Sequence, residues 1–273
     1  VTGNRVHGNV PGTFVSGVQA YSMNLPLPTA NLFANNWVYD LHASTTVYGF
    51  GTVNGSGDRY LFNSVSLTGT IVPNAGTAAC FASTSYDSLN EIRDNVFHVD
   101  GTSPAAAKFY ARRVAYPSAT GMHAVQDHND LFVRAGGLAT GYAGFYDGDR
   151  ITLADWQAAA GVDSNSVSGD PLFVSPTDLH VSTAGSVTSV LANAGSPDLS
   201  VLADLDGDAR SATAPDIGAD EFTTYGLSVS AVHGTVTKVP DLPQYNPGVA
   251  VFLTATPDSG YRFTGWAGDA GGT

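Results

Sequence analysis

The chain has 273 residues, of which 43% are apolar and 13% carry a charge, so it can bury a sizeable core and wholesale disorder is excluded. Its formal net charge of −13 would repel phosphate backbones and anionic lipids, which excludes general nucleic-acid binding and leaves neutral glycans and divalent cations open as partners. No apolar run approaches the roughly 20 residues of a membrane span, so no membrane insertion is predicted for this segment.

An Asn followed by alternating apolar residues recurs along the first half of the chain. The segments are Asn4–His7, Asn36–Tyr39, Asn63–Leu67, Asn95–Val99 and Asn129–Val133. Spacings of 27 to 34 residues are too irregular for a helical solenoid of fixed period, and they predict stacked coils of about three short strands around a narrow apolar core. Each Asn is expected at a coil corner in the left-handed conformation, with its amide bonded along the axis. Chance recurrence in an Asn-rich β-protein is the alternative.

Several residues within these coils could carry chemistry, and each has a plainer interpretation. Cys80, the single cysteine, would need a His partner to act as a nucleophile, and we expect a small buried apolar side chain instead. The segment 127–130 (Asp-His-Asn-Asp), with His123 nearby, has the composition of a ligand cluster, but neighbouring strand residues point to opposite faces. The i, i+2 pairs are possible acid–base pairs that share a strand face: His98 with Asp100, and Asp178 with His180.

One short helix is predicted near residues 151–161. Thr152 is a suitable N-cap, Asp155 follows three residues later, and Gly161 is a C-terminal stop. Trp156 is predicted to anchor this helix over the core, with stacking on a sugar as the alternative.

The segment that follows contains six short motifs in order. They are Ala154–Gln157, Asp170–Phe173, Asp178–His180, Gly195–Pro197, an Asp-rich loop ending at Arg210, and Asp216–Glu221. Residues 170–174 are predicted to form an edge strand with Pro at its start, and residues 179–181 a short strand. Together, residues 131–222 resemble the C-terminal closing segment of bacterial right-handed parallel β-helix surface proteins. The resemblance implies an all-β, right-handed parallel β-helix over residues 1–222, an exported location, and a large multidomain parent. Because the chain does not begin with Met, we expect it to be an internal piece of that parent.

The Asp-rich loop is the candidate metal site. Asp204, Asp206 and Asp208 place three carboxylates at alternate positions, which calcium could bind through oxygen ligands. The spacing is not that of an EF-hand; Asp216, Asp220 and Glu221 could add oxygens. The alternative is a structural turn in which Arg210 pairs with one of these carboxylates.

The last 49 residues carry a second set of motifs. They are Gly234–Val236, Pro247–Gly248, Val251–Ala255 and Gly260–Asp269. Residues 225–273 therefore resemble the divergent internalin-type B repeat of bacterial surface proteins, which implies a small β-module, truncated at its end, after a boundary near residues 223–225. Tyr261, Phe263 and Trp266 are predicted to be its core residues, with stacking on a ligand as the alternative.

The leading hypothesis is a non-catalytic extracellular or cell-surface protein, adhesin-like or a scaffold stalk, monomeric in this segment, with glycans or other surface proteins as partners. The alternative is part of a polysaccharide lyase or glycoside hydrolase of the pectate-lyase-like β-helix type. Such a lyase needs calcium or basic residues to neutralise the sugar acid, and an Arg or Lys base. Only one member of the doublet Arg112-Arg113 can face a groove, and no catalytic residue is predicted. An exposed groove that holds carboxylates and an Arg would favour the enzyme.

Overall fold

A computed structural model of the chain describes residues 1–8, 12–21, 31–53, 57–84, 90–115 and 125–268. Within them, four coils of three strands each follow one another. The strands are β1 (Arg5–His7), β2 (Phe14–Tyr21) and β3 (Leu32–Ala34); β4 (Trp37–Tyr39), β5 (Thr46–Val53) and β6 (Arg59–Leu61); β7 (Ser64–Thr70), β8 (Thr77–Ser83) and β9 (Glu91–Arg93); and β10 (Val96–Ser103), β11 (Lys108–Val114) and β12 (Val125–Asp127). A fifth coil begins with β13 (Asp130–Gly137) and β14 (Thr140–Phe145).

Corresponding strands of successive coils stack into three parallel sheets. Sheet I contains β1, β4, β7, β10 and β13; sheet II contains β2, β5, β8, β11 and β14; sheet III contains β3, β6, β9 and β12. The strand β15 (Asp149–Arg150) is antiparallel to β14 and ends sheet II. The prediction of a nearly all-β solenoid with a short helix is confirmed.

The core lies between the three sheets, where alternate side chains of each strand point inward. In sheet I, Val38, Val65, Phe97 and Leu131 lie at one register level of successive coils and are almost fully buried. The other two sheets contribute stacks of the same kind: Val47, Ala78 and Phe109 from sheet II, and Phe33, Tyr60 and Ile92 from sheet III. Stacking of coils thus buries side chains that one coil could not bury alone.

The five Asn residues form a continuous hydrogen-bonded ladder along the solenoid axis, as predicted. The Nδ2 of each of the first four donates to the Oδ1 of the Asn in the next coil. The four distances are 2.9 Å from Asn4 to Asn36, 2.8 Å from Asn36 to Asn63, 2.9 Å from Asn63 to Asn95 and 3.0 Å from Asn95 to Asn129. The backbone N–H of the same Asn donates to the same oxygen, at 3.0 to 3.2 Å. The carboxamide oxygens of the last four Asn residues therefore each accept two N–H groups from the Asn of the preceding coil.

The left-handed residue at each corner is the one before the ladder Asn, so the prediction that Asn itself adopts this conformation is wrong. The residues are Gly3, Asn35, Phe62, Asp94 and His128, with φ between 52 and 67°. The physical reason is that the Asn must direct both its backbone N–H and its amide toward the next coil. The chain turns one residue earlier, even where Phe62 must take a conformation that bulky residues rarely adopt.

The helix α1 (Leu153–Ala160) covers the C-terminal end of the core, as predicted. Thr152 and Asp155 form a capping box, and Gly161 ends the helix with φ 70°. Trp156 is fully buried, and a Cβ on Gly144 would lie 2.1 Å from its ring, so the indole packs directly on the β14 backbone. Full burial makes Trp156 a packing anchor and contradicts the sugar-stacking alternative.

Residues 163–182 and 189–222 close the solenoid by covering the outer face of sheet I. The antiparallel hairpin β16 (Phe173–Ser175) and β17 (Asp178–Val181) is part of this cover; its first strand begins two residues after Pro171. Trp37 and Tyr39 of β4 pack against Leu179 and Ala219. Sheet I is therefore buried on both faces over part of its width.

The contacts divide the chain into two compact units. One is Val1–Ser182 with Ser189–Phe222, and the other is Thr183–Thr188 with Thr223–Thr273. The second unit contains the antiparallel hairpin β18 (Gly234–Val239) and β19 (Phe252–Pro257). The loop 183–188 belongs to it through hydrogen bonds such as Asn246 Nδ2 to Val187 O, at 2.9 Å.

Tyr261 and Phe263 are exposed and Trp266 is half-buried, so none of the three is a buried core residue, which corrects the sequence-based expectation. Tyr261 is 54% exposed and Phe263 45% exposed, and neither lies in a strand. The reason is that the described part of this unit contains one two-stranded hairpin, which offers no second layer against which a core could form. Asp269, named in the motif of this repeat, lies outside the described residues.

Candidate functional site

The acidic loop is organised by one of its three carboxylates. Asp204 Oδ1 accepts the backbone N–H groups of Asp206, Gly207 and Asp208, each at 2.9 Å. Its other oxygen accepts the N–H of Glu221, at 3.0 Å. Asp204 is thus a buried turn-forming residue whose oxygens are already engaged by the backbone.

The other two carboxylates of the loop diverge in environment, although both are exposed. Asp206 Oδ2 lies 2.8 Å from His180 Nε2 on β17, and its Oδ1 lies 3.4 Å from the Arg5 guanidinium. Asp208 contributes its backbone carbonyl to the turn, accepting from Asp204 N at 2.9 Å. Calcium binding by Asp204, Asp206 and Asp208 together stays a prediction.

A different set of potential metal ligands comes together at this place. One ligand atom from each of His180, Asp206 and Asp220 lies within 4.8 Å of the other two, and among the described residues this is the one such group of three or more His, Cys, Asp or Glu. The opposite nitrogen of His180, Nδ1, lies 2.5 Å from Asp178 Oδ1. His180 therefore has a carboxylate on each side of its ring.

The charges of this cluster influence one another. Burial alone would lower the pKa of His180, but hydrogen bonds to Asp206 and Asp178 outweigh it and raise the pKa. Burial raises the pKa of Asp220 to about 6, although the N–H of Val181 donates to its Oδ2 at 2.7 Å. The His180 ring is held from a third side by Trp37, edge to face, with 4.7 Å between ring centroids.

Arg210 pairs with a carboxylate of the closing segment, as the structural-turn interpretation predicted. Its Nη1 lies 3.3 Å from Glu221 Oε2, and its Nη2 donates to Asn35 Oδ1 and Gly218 O at 2.9 and 2.8 Å. The guanidinium also lies over the ring of Phe62, 4.1 Å from its centroid. Arg210 is buried, and its contacts join Glu221 to the coil corner at Asn35. Its ion pair is therefore with Glu221 and not with the carboxylates of the loop 204–208.

A groove on the outer face of sheet I holds carboxylates and an Arg, the feature that would favour an enzyme. Its cavity of about 280 Å³ is lined by side chains that include Ser66, His98, Asp100, Arg134, Asp170 and Phe173. Arg134 donates from Nε and Nη2 to the two oxygens of Asp100, at 2.8 and 2.6 Å, and lies 3.5 Å from Asp170. His98 Nδ1 lies 2.9 Å from Ser66 Oγ.

The electrostatics of this groove oppose acid–base catalysis. The bidentate hydrogen bond from Arg134 lowers the pKa of Asp100, which opposes a general-acid role, and the same contact raises the pKa of Arg134, which opposes a role as base. Burial lowers the pKa of His98 to about 4, so the ring is a weak base. His98 and Asp100, the i, i+2 pair, are not bonded to each other: His98 contacts Ser66, and Asp100 accepts from Arg134.

The remaining sequence candidates are dispersed. Cys80 is fully buried, and burial raises the pKa of its thiol, as expected for a packing residue. Arg112 is buried inside the solenoid, where it donates to Ser83 Oγ at 2.8 Å, so it cannot serve an external groove. The segment 127–130 does not form a ligand cluster. Asp127 accepts from Asn165, and His128 is the left-handed residue of a corner. Asn129 belongs to the ladder, and Asp130 is fully buried. His123 lies outside the described residues.

Only part of the His180 cluster was visible in the sequence. The pair Asp178 and His180 was visible as an i, i+2 pair, and Asp206 and Asp220 were visible as acidic residues of separate motifs. Their convergence could not be predicted, because it depends on how residues 163–222 fold back over sheet I.

Comparison with known proteins gives one family match, which covers the end of the chain. Residues 225–273 match the family model of the divergent InlB B-repeat domain. No curated protein and no solved structure matches the chain at a significant level. Among the described residues, no helix combines the length and the hydropathy that a membrane span requires.

Proposed function

We propose that this chain is a non-catalytic part of a bacterial extracellular or cell-surface protein, in which the solenoid is a rigid scaffold and the second unit is adhesin-like. The observation that carries the proposal is the match of residues 225–273 to the divergent InlB B-repeat domain, which is typical of bacterial surface proteins, next to a β-solenoid.

The stacking of the solenoid supports the scaffold role. Coils are joined by strand pairing in three sheets and by the buried Asn ladder, and such contacts between neighbours make an elongated repeat architecture mechanically continuous. A buried amide ladder that is fully hydrogen-bonded also fixes the register of successive coils.

Exposed and half-buried aromatic rings in the second unit support a glycan-facing role. A cavity of about 390 Å³ is lined by residues that include His233, Tyr261, Phe263 and Trp266. The rings of Tyr261 and His233 stack with centroids 4.0 Å apart, and Phe263 lies 5.0 Å from Trp266. Exposed rings beside polar groups can stack on the apolar faces of sugars.

A glycan array probed with the 273-residue chain tests the adhesin-like role. We expect binding by the wild type and a loss of about tenfold or more in Tyr261→Ala/Phe263→Ala, since stacking and a desolvated aromatic contact contribute on the order of 1–2 kcal/mol. Phe252→Ala is the matched control, because Phe252 is a 72% exposed ring of the same unit outside this cavity. Equal loss in the control, or no binding to any glycan by the wild type, would contradict the glycan-facing role.

The location is tested separately on bacteria that produce the parent protein. Antibodies against residues 1–222 should label intact cells or the culture medium, and external protease should remove the cell-bound signal. Labelling that appears only after cells are broken open would contradict an extracellular location.

The second candidate function, a polysaccharide lyase or hydrolase, rests on the groove that contains Asp100, Arg134 and Asp170. We expect no release of unsaturated or reducing sugars from acidic or neutral polysaccharides, with or without Ca²⁺, because the Asp100–Arg134 contact opposes both acid and base roles. Product release by the wild type that Arg134→Gln abolishes would establish the enzyme instead.

A further inference from the structure

We propose that His180, Asp206 and Asp220 form a binding site for a divalent transition-metal ion of the Zn²⁺ class. The three side chains come from β17, the acidic loop and the segment after residue 216, and one ligand atom from each lies within 4.8 Å of the other two. An ion at their centre would have one imidazole nitrogen and two carboxylate oxygens, with the remaining positions filled by water.

The state of Asp220 is an independent indication that a cation belongs here. Its side chain is nine-tenths buried, and among the described residues no Lys, Arg or His nitrogen lies within 4.0 Å of its carboxylate. Its Oδ2 accepts the backbone N–H of Val181, at 2.7 Å. Buried carboxylates in proteins are normally paired with a cation or bound to a metal.

His180 has the orientation of a metal-binding imidazole. Its Nδ1 faces Asp178 Oδ1 at 2.5 Å, which fixes the ring, while Nε2 faces Asp206 and the ligand cluster. Metal-ligating His residues commonly donate their other ring N–H to a carboxylate in this way. The Trp37 ring lies perpendicular to the imidazole, with 4.7 Å between centroids, and packs on it from the side of the solenoid.

The ligand set favours Zn²⁺, Co²⁺ or Ni²⁺ over Ca²⁺. Calcium takes six to eight oxygen ligands, whereas imidazole is a ligand of choice for zinc and nickel, and Co²⁺ serves as a spectroscopic substitute for zinc. Both oxygens of Asp204 accept backbone N–H groups, so the loop offers Asp206 as its inward ligand. The site is thus distinct from a calcium site built on the three loop carboxylates.

The consequence of occupancy would be a cross-link within the closing segment. The metal would join β17 to the acidic loop and to the segment 216–222, three pieces that cover sheet I. An ion that binds only the folded state stabilises it according to its concentration relative to Kd.

The test uses the 273-residue chain, titrated by calorimetry with Zn²⁺ and, separately, with Ca²⁺. We expect one Zn²⁺ per chain and weaker or no binding of Ca²⁺. His180→Gln and Asp206→Asn should abolish Zn²⁺ binding, and Asp178→Asn, which leaves the ligands in place, should weaken it about tenfold or more.

Two controls match these variants. Asp208→Asn removes an exposed carboxylate of the same loop outside the ligand set. His42→Gln removes a His whose Nε2 lies 3.1 Å from Asp40 in another i, i+2 pair, without a second carboxylate in a metal-binding group. Both variants should bind Zn²⁺ as the wild type does.

Co²⁺ absorption of the wild type gives a readout that does not depend on the folding of any variant. We expect a visible spectrum with nitrogen and oxygen ligation that one equivalent of Zn²⁺ removes. Absence of Zn²⁺ binding by the wild type, retention of binding in His180→Gln, or tighter binding of Ca²⁺ than of Zn²⁺ would each overturn the proposal.

Discussion

At the scale of single residues, the side-chain amides of the ladder form hydrogen bonds with backbone N–H and C=O groups at the corners, where strand pairing is interrupted. Asn95 is almost fully buried, and its Nδ2 donates to Tyr60 O and Arg93 O at 2.9 Å in addition to Asn129. Its Oδ1 accepts both the N–H and the Nδ2 of Asn63. One side chain thus satisfies polar groups of three successive coils.

Removal of one amide from the middle of the ladder should therefore be costly. We expect Asn95→Ala to lower the free energy of unfolding by about 2–4 kcal/mol, because it leaves buried donors of Asn63 without a partner. Asn4→Ala, at the exposed end of the ladder, should cost less than about 1 kcal/mol. Urea denaturation of both variants checks this, and equal losses would show that the ladder does not act through buried donors.

Asp94 predicts a pH dependence of stability. Burial raises its pKa to about 7, although Ser196 N–H and Arg93 favour the charged form. An acid whose pKa is higher in the folded state binds its proton more tightly there, so its contribution is complete below about pH 4 and is lost as the pH rises toward 7.

Asp94→Asn should reduce this pH dependence. Asn keeps the acceptor for Ser196 and tolerates the φ of 61° at this corner. Between pH 4.5 and 7.5 we expect the fall in unfolding free energy to be smaller in Asp94→Asn than in the wild type by about 1–3 kcal/mol. Urea denaturation at both pH values checks it, with Asp208→Asn as the surface control; parallel pH profiles for wild type and Asp94→Asn would contradict the assignment.

At the scale of elements, the closing segment depends on turns that side chains build. Asp204 holds the acidic loop by accepting four backbone N–H groups, whereas Asp208 is exposed. The two residues look alike in the sequence, and only their hydrogen bonds distinguish a turn-forming Asp from a surface one.

Asp204→Ala should destabilise the folded chain by about 1–3 kcal/mol, because four backbone N–H groups of the turn lose their acceptor, and Asp208→Ala should change stability by about 0.5 kcal/mol or less. Thermal unfolding in EDTA, which removes any metal contribution, is the appropriate measurement. A similar loss in both variants would assign the effect to the charge of the loop rather than to the turn.

The elements that could be predicted from the sequence are those with local causes. The capping box of Thr152 and Asp155 and the stop at Gly161 define α1 within its own residues. The Asn ladder was predictable because a repeat reveals itself by its period. The position of the left-handed residue, one before each Asn, depends on the donors of the neighbouring coil, and the exposure of Tyr261 and Phe263 depends on the number of layers around the hairpin.

At the scale of the whole molecule, the chain is divided into two units by a boundary that crosses the sequence more than once. Residues 183–188 belong with Thr223–Thr273, although the residues on both sides of them belong to the solenoid. We propose that the junction lies at residues 223–225.

Limited proteolysis should therefore cut first at residues 223–225 and leave a resistant fragment that contains the solenoid. Mass spectrometry of the early products identifies the sites. Earlier cleavage within residues 150–182 would place the weakest point of the chain in the closing segment instead and contradict this boundary.

The Asn ladder gives the solenoid a polarity along its axis. From Asn36 onward, the oxygen of each ladder amide accepts from the Asn on its N-terminal side, so the C=O groups point the same way and their dipoles add along the axis. Each Nδ2 donates both backward to a backbone carbonyl and forward along the ladder, and the last Nδ2, that of Asn129, donates forward to the carboxylate of Asp163 at 2.9 Å. Each interior coil presents the same donor and acceptor order to its neighbours, so a duplicate of the coil 64–95 could be inserted after it without breaking the series. The number of interior coils could therefore change without altering the ladder, whereas the end that places the Asp163 carboxylate against the last amide could not be exchanged for another interior coil.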